Sequence, residues 1–196
     1  MVNIYTLPLG AYQTNCYVVH KEKDCRAIVM DPGYEADKIL SFLEEKGLSL
    51  EAVLLTHGHF DHVGAVRDLV ALTDCPVYLN PADTAMPPQM TAGPLYYTHS
   101  LEKQTLSLAG MEIGVLPTPG HTPGSVCFQI GRNLFTGDTL FAGSCGRTDL
   151  PGGDWQTILA SLRFLQSLEA PYKVYPGHGG STTLEREKAV NPYLRG

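Results

Sequence analysis

Residues 54–65 read LLTHGHFDHVGA, three histidines and an aspartate within six residues, straight after an apolar run. EAVLLT, ending at Thr56, has the composition of a short buried strand. DHVGAVRDLVALT, Asp61 to Thr73, reads as a helix, with Val63, Val66, Leu69 and Val70 at helical spacing. The polar cluster therefore sits where a strand hands over to a helix. His57 and His59 are two apart on extended chain, so both can point the same way. Asp61 and His62 open the helix, where the dipole favours a carboxylate and disfavours imidazolium. Neutral imidazole is the form that binds a metal.

The same arrangement recurs three times. Gly120-His121 follows IGVLPTP, Gly137-Asp138 follows LFT and Gly177-His178 follows KVYP. Each is an apolar, strand-like run ending in a glycine beside a potential ligand, and loops at strand ends are where rigid scaffolds place sites. If these ends converge, His57, His59, Asp61, His62, His121, Asp138 and His178 meet. Seven ligands are too many for one tetrahedral zinc and suit two divalent ions sharing a carboxylate. The natural division gives His57, His59 and His121 to one ion and Asp61, His62 and His178 to the other, with Asp138 bridging. Mixed imidazole and carboxylate suits zinc, and also iron or manganese. Asp31, in VMDPG, is a candidate to hold a ligand histidine's second N–H. It reads equally as a turn aspartate before Pro-Gly.

The 196 residues allow one sizeable core, here read as a single domain over 1–196. Net charge is -6 and no Lys/Arg cluster occurs, which argues against a nucleic-acid partner. No apolar run approaches the roughly 20 residues of a membrane span. The N-terminus lacks the pattern of a signal peptide, so a cytoplasmic protein is expected. Five widely spaced cysteines without C-x-x-C fit free thiols in a reducing compartment. The expected partner is a small molecule; nothing fixes the oligomeric state.

Around the cluster, NIYTL, TNCYVVH, CRAIVMD, PVYL, MEIGVLPT, SVCFQI, NLFTG and YKVYPG read as further strands. EADKILSFLEEKG, DWQTILASLRFLQSL and TLEREKAV read as helices, the second with Asp154 as N-cap. Residues 80–104, rich in Pro and Gly, are long for a connection within a compact domain, and such segments are often functional. The order of elements predicts an α/β layered sandwich of mixed sheets with helices outside, built as two similar halves.

THGHFDH, PGHTPGS, TGDTLF and PGHG, with TNCYVV and MDPG nearer the start, resemble the metallo-β-lactamase fold family over nearly the whole chain. The resemblance implies a four-layer αββα sandwich, two mixed β-sheets with helices outside, and a metal site at one edge between the sheets. It matches all seven ligands to the family's dinuclear pattern. The chain is most similar to short, single-domain glyoxalase II-like thioester hydrolases. It departs from full-length glyoxalase II in lacking the C-terminal glutathione-binding helical domain and in carrying Asp149 where a substrate-contacting Tyr is expected. Asp138 stands where common dizinc β-lactamases carry Cys, which lowers the antibiotic-hydrolase reading.

The activity expected is hydrolysis of a thioester of the S-lactoylglutathione type by a metal-bridging hydroxide, which Asp61 would orient. Arg147 is a candidate anchor for a substrate carboxylate and equally a loop arginine in a surface salt bridge. Tyr96 and Tyr97, with His99, could roof the site or simply pack. The alternatives are a mononuclear-iron persulfide dioxygenase, which the CGRTD loop resembles, a lactonase, and a non-catalytic metal-binding domain.

Overall fold

Alternate residues of the central strands face two different cores, and this sets the architecture. A computed structural model describes residues 1–102 and 104–195. The elements in chain order are β1 (Val2–Leu9), β2 (Thr14–Lys21), β3 (Arg26–Met30), α1 (Ala36–Glu45), β4 (Ser49–Leu54), α2 (Phe60–Val63), α3 (Val66–Thr73) and β5 (Val77–Leu79). A 3-10 helix (Pro81–Ala85), α4 (Pro88–Thr91), β6 (His99–Ser100), β7 (Thr105–Leu108), β8 (Met111–Pro117), β9 (Val126–Ile130) and β10 (Asn133–Gly137) follow. The chain continues with β11 (Leu140–Phe141), β12 (Ser144–Cys145), α5 (Trp155–Gln166), β13 (Lys173–Pro176), β14 (Thr182–Thr183) and α6 (Leu184–Val190).

In β2, Cys16 and Val18 face one apolar cluster and Tyr17 and Val19 another; in β3, Ala27 and Val29 part from Ile28 and Met30 in the same way. The first cluster also contains Ile39 and Leu43 of α1 and Val66 and Leu69 of α3. The second joins the inner faces of two sheets, with Ile113, Val115, Phe128, Phe135 and Tyr175 from the other side. A third collects Cys127, Leu134 and Val174 from that second sheet's outer face, against Ile158, Leu162 and Leu165 of α5 and Leu184 of α6. Three cores between four layers make an αββα sandwich.

The sheets run β1-β2-β3-β4-β5-β6 and β14-β13-β10-β9-β8-β7. Each begins as an antiparallel meander and then adds a parallel strand after a helix, α1 between β3 and β4 and α5 between β10 and β13. The two expected halves are these. The short pairings β6, β7, β11, β12 and β14 are additions to the elements legible in the sequence. The ends of β3, β4, β10 and β13 open toward one edge. There the sheets are stitched together: Val126 N–H donates to Thr56 O at 2.9 Å and Asn15 N–H to Gly177 O at 2.8 Å.

Candidate metal centre

The predicted helix from Asp61 to Thr73 is two helices, and the break shapes the site. Ala65 N–H donates to Pro32 O at 2.9 Å, not to Asp61 O one turn back. The Asp31–Gly33 turn wedges in at this point. Its Gly33 lies so close to the Asp61 carbonyl that a Cβ would overlap it. The first turn, Phe60–Val63, is thereby held as a separate unit against the turn carrying Asp31.

The ligand-type residues converge as two triads, joined by a third group of Asp31, His57 and His62. His57, His59 and His121 offer nitrogens within 4.8 Å of one another, and so do the atoms offered by Asp61, His62 and His178. Asp138 stands between. Its Oδ1 is 3.5 Å from His62 Nε2, while its Oδ2 is 3.5 Å from His121 Nε2 and 3.6 Å from His178 Nε2. Asp61 Oδ2 lies 3.2 Å from His178 Nε2 and accepts the Thr14 hydroxyl at 3.1 Å. Gly177 permits this closeness: a Cβ there would overlap Asp138 Oδ1 and come within 2.8 Å of His62 Cε1.

Hydrogen bonds behind the rings fix which nitrogen faces the centre. His62 Nδ1–H donates to Asp31 Oδ2 at 3.0 Å. The Thr56 hydroxyl donates to that same oxygen at 2.6 Å and can accept His57 Nδ1–H at 3.0 Å. Asp31 therefore steers one histidine of each triad, directly for His62 and through Thr56 for His57. It is itself fixed by Thr56 N–H on Oδ1 at 2.7 Å. His121 Nδ1–H donates to Arg147 O at 2.7 Å, leaving its Nε2 toward His59 Nδ1 at 2.9 Å.

Among the described residues, four buried side-chain polar atoms have no hydrogen-bond partner: His57 Nε2, His59 Nε2, His62 Nε2 and Asp138 Oδ1. Buried polar atoms are ordinarily satisfied, because leaving one unmade costs about 1–3 kcal/mol. Three of the four belong to the atoms that face the centre. The set of imidazole and carboxylate donors fits divalent cations of the zinc, iron or manganese kind.

Without metal, the site's electrostatics are divided. Burial and the neighbouring histidines push His57 well below the ordinary histidine range, and burial with His121 lowers His59 to about 3. For His62 burial works the same way, but Asp138, Asp31 and Asp61 outweigh it and raise it to about 9. Burial alone would raise Asp61; His178, His62 and the Thr14 hydroxyl hold it below the carboxylate range instead. His57 and His59 are thus neutral and ready to ligate, while His62 holds a proton that a cation must displace.

A cavity of about 490 Å³ opens over the two triads; its walls include Tyr12, Phe60, Met90, Phe141 and Leu150, with Cys145 and Arg147 at the side. Arg147 borders this space, but its guanidinium forms two hydrogen bonds to Asp149, at 2.6 and 2.7 Å. The surface salt bridge is the outcome for this residue. Tyr96 and Tyr97 do not roof the site: they pack against the outer core under α1 and α3, and Tyr96 stacks with Arg67. The apolar walls come from Tyr12 in the β1–β2 turn and Met90 in α4, which no local pattern marks.

Two further groups escape a reading of the sequence. Asn15 Nδ2 donates to Pro176 O at 3.0 Å and Gly179 O at 2.8 Å, and Tyr17 donates to Pro176 O at 2.6 Å, so β2 holds the loop of His178. Asp83, in the Pro-rich segment, is wholly buried among backbone donors of the ligand loops. The quoted TNCYVV carried a signal for the first; a lone aspartate in a loop carried none for the second.

The family model described as the metallo-beta-lactamase superfamily matches residues 9–178. The hydroxyacylglutathione hydrolase GloC of Haemophilus influenzae is 36% identical over 209 residues, covering 98% of this chain and 98% of that one. Among solved structures, BLEG-1 B3 metallo-beta-lactamase superposes with a TM-score of 0.89 at 37% identity, over 100% of both chains. The di-iron-bound form of TTHA1623 superposes with a TM-score of 0.86 at 41% identity, over 97% of this chain and 100% of that one.

Proposed function

The chain belongs to the metallo-beta-lactamase superfamily, and on that premise we propose that it is a single-domain dinuclear metallohydrolase that cleaves thioesters. The observation that carries the reading is Asp138, whose two oxygens face histidines of both triads. His57, His59 and His121 would hold one cation and Asp61, His62 and His178 the other, with Asp138 shared. Zinc is the cation proposed, with iron the alternative suggested by the di-iron neighbour. Two such cations supply Lewis acidity, lowering the pKa of bound water and polarising a carbonyl oxygen.

The protein's own residues do the rest. Asp61 stays ionised at neutral pH, so it can accept a hydrogen bond from an attacking water and fix its direction; Thr14 holds the carboxylate still. Asp31 and Thr56 keep the histidine lone pairs aimed inward. Tyr12, Phe60, Met90, Phe141 and Leu150 exclude water from around a bound ester and strengthen every interaction inside. A thiolate leaving group needs no proton from the protein, which matches a site built from ligands and apolar walls. The thioester assignment draws on the similarity to the hydroxyacylglutathione hydrolase, and a glutathione thioester is the substrate proposed.

The test is metal content and turnover measured together. Two metal ions per chain, with hydrolysis of S-lactoylglutathione or a simpler thioester that collapses in Asp61→Ala, is the expected result. Full activity in Asp61→Ala would sink the mechanism. One iron per chain with oxygen consumed alongside a persulfide would move the chain to the dioxygenase reading. A second hydrolytic reading, opening of a β-lactam amide, is favoured by the likeness to BLEG-1. A chromogenic cephalosporin in the same assay decides between the two by their kcat/KM.

A further inference from the structure

Asp83 lies 21 residues beyond His62 and 38 before His121 in the chain, yet its carboxylate is the meeting point of their loops. It is 0% exposed. Oδ2 accepts Gly58 N–H at 2.7 Å and the Thr122 hydroxyl at 3.0 Å, and Oδ1 accepts Gly124 N–H at 2.6 Å. Gly58 is the residue between His57 and His59; Thr122 follows His121. The packing is as close as the bonding: a Cβ on Gly124 would lie 2.7 Å from Asp83 Cγ, and one on Gly58 would lie 3.2 Å from Asp83 Cβ.

A buried carboxylate is costly unless its lone pairs are met, and charge-assisted bonds of this kind are about twice as strong as neutral ones. Three of them here run to two separate loops. The carboxylate's own place is fixed by the 3-10 helix Pro81–Ala85, capped by Asn80 Oδ1 on Ala82 N–H at 3.0 Å. The other triad does not touch Asp83: it rests on Asp31 behind His62, which reaches His57 only through Thr56, on Thr14 at Asp61 and on Asn15 under the His178 loop.

We propose that Asp83 is the positioning residue of the three-histidine site, tying the loop of His57 and His59 to the loop of His121 and so setting their spacing before a cation binds. The proposal rests on the two-cation reading above. It predicts that loss of Asp83 falls on one cation and spares the other. Asparagine has the same shape but one acceptor fewer, and its NH2 turns a donor toward a glycine N–H.

The experiment is a Zn(II) titration of the full chain against a competing chelator, with the histidine ring resonances followed residue by residue. In Asp83→Asn, the affinity reported by His57, His59 and His121 falls by at least about tenfold, the scale of supporting-residue losses at metal sites. The affinity reported by His62 and His178 stays within about twofold. No change at either group, or equal weakening of both, overturns the proposal. Should circular dichroism show Asp83→Asn unfolded, Thr122→Val takes its place, since it removes one of the three bonds and leaves the carboxylate. A loss of threefold or more confined to the same three histidines is then expected, and an unchanged affinity there overturns the proposal. A wild-type chain that takes up no zinc at His57, His59 and His121 overturns the two-cation reading and this one with it.

Discussion

Gly177→Ala tests how closely the two triads are packed. Gly177 does not have the positive φ that marks ten other glycines among the described residues, so an alanine meets no backbone strain there. The penalty is steric alone. The new methyl would overlap Asp138 Oδ1 and sit 2.8 Å from His62 Cε1, about 0.7 Å inside the roughly 3.5 Å optimum for carbon contacts. Gly137 backbone, 3.1 Å away, blocks retreat in a third direction. Overpacking of this kind costs about 1–3 kcal/mol, which a folded chain can absorb. The centre cannot absorb it. Bonds from zinc to nitrogen or oxygen are about 2.0–2.2 Å, and a misplacement near 1 Å can cost about 10²-fold in rate. Gly177→Ala should therefore keep the wild-type circular dichroism spectrum, weaken metal binding at His62 and Asp138, and lower kcat/KM by about 100-fold. Metal stoichiometry by elemental analysis and thioester turnover read both effects. Wild-type metal content with wild-type turnover would refute the reasoning, because the two groups would then have room to move.

Asp31→Asn removes an acceptor shared by His62 and the Thr56 hydroxyl; unlike a change at Asp83, it should weaken both cations, by about 10–100-fold each, in the same chelator competition. Asp149→Ala removes both acceptors of the Arg147 guanidinium, so kcat/KM should rise a few-fold for an anionic thioester and stay unchanged for a neutral one; a rise for both would assign another cause. Stability of the chelated protein should peak near pH 6.5. Below that, an unfolded chain protonates His57 and His59, whose folded pKa values are depressed, and stability falls with acid. Above it, His62, raised to about 9 in the folded state, contributes stability that is fully present below 6.5 and lost as pH rises through 9. Thermal melts across pH 5–9 check the peak, and saturating zinc should raise the melting temperature most on the alkaline side, where no proton opposes binding.

The convergence of the aspartates and histidines was legible because their chemistry is concentrated at strand ends. The nine strands β1–β5, β8–β10 and β13, with the main helices, were legible because apolar periodicity is a local property. The short strands β6, β11, β12 and β14 were not, since each has only two residues and exists through partners elsewhere in the chain. The helix across Gly64 looked continuous because its apolar spacing is continuous; only the Pro32 carbonyl, brought in by the first sheet, breaks it.

LLTHGHFDHVGA thus determined a strand, a turn and four metal-type side chains, because residues so near in sequence cannot escape one another. Tertiary structure decided the rest. It divided those four between two triads, placed Asp138 across them, turned Tyr96 and Tyr97 away, and put Asp83 between the ligand loops. The physical reason is that spacing along a strand or helix is fixed by the backbone. The few ångströms separating two loops on different sheets are fixed only when the cores between the layers close.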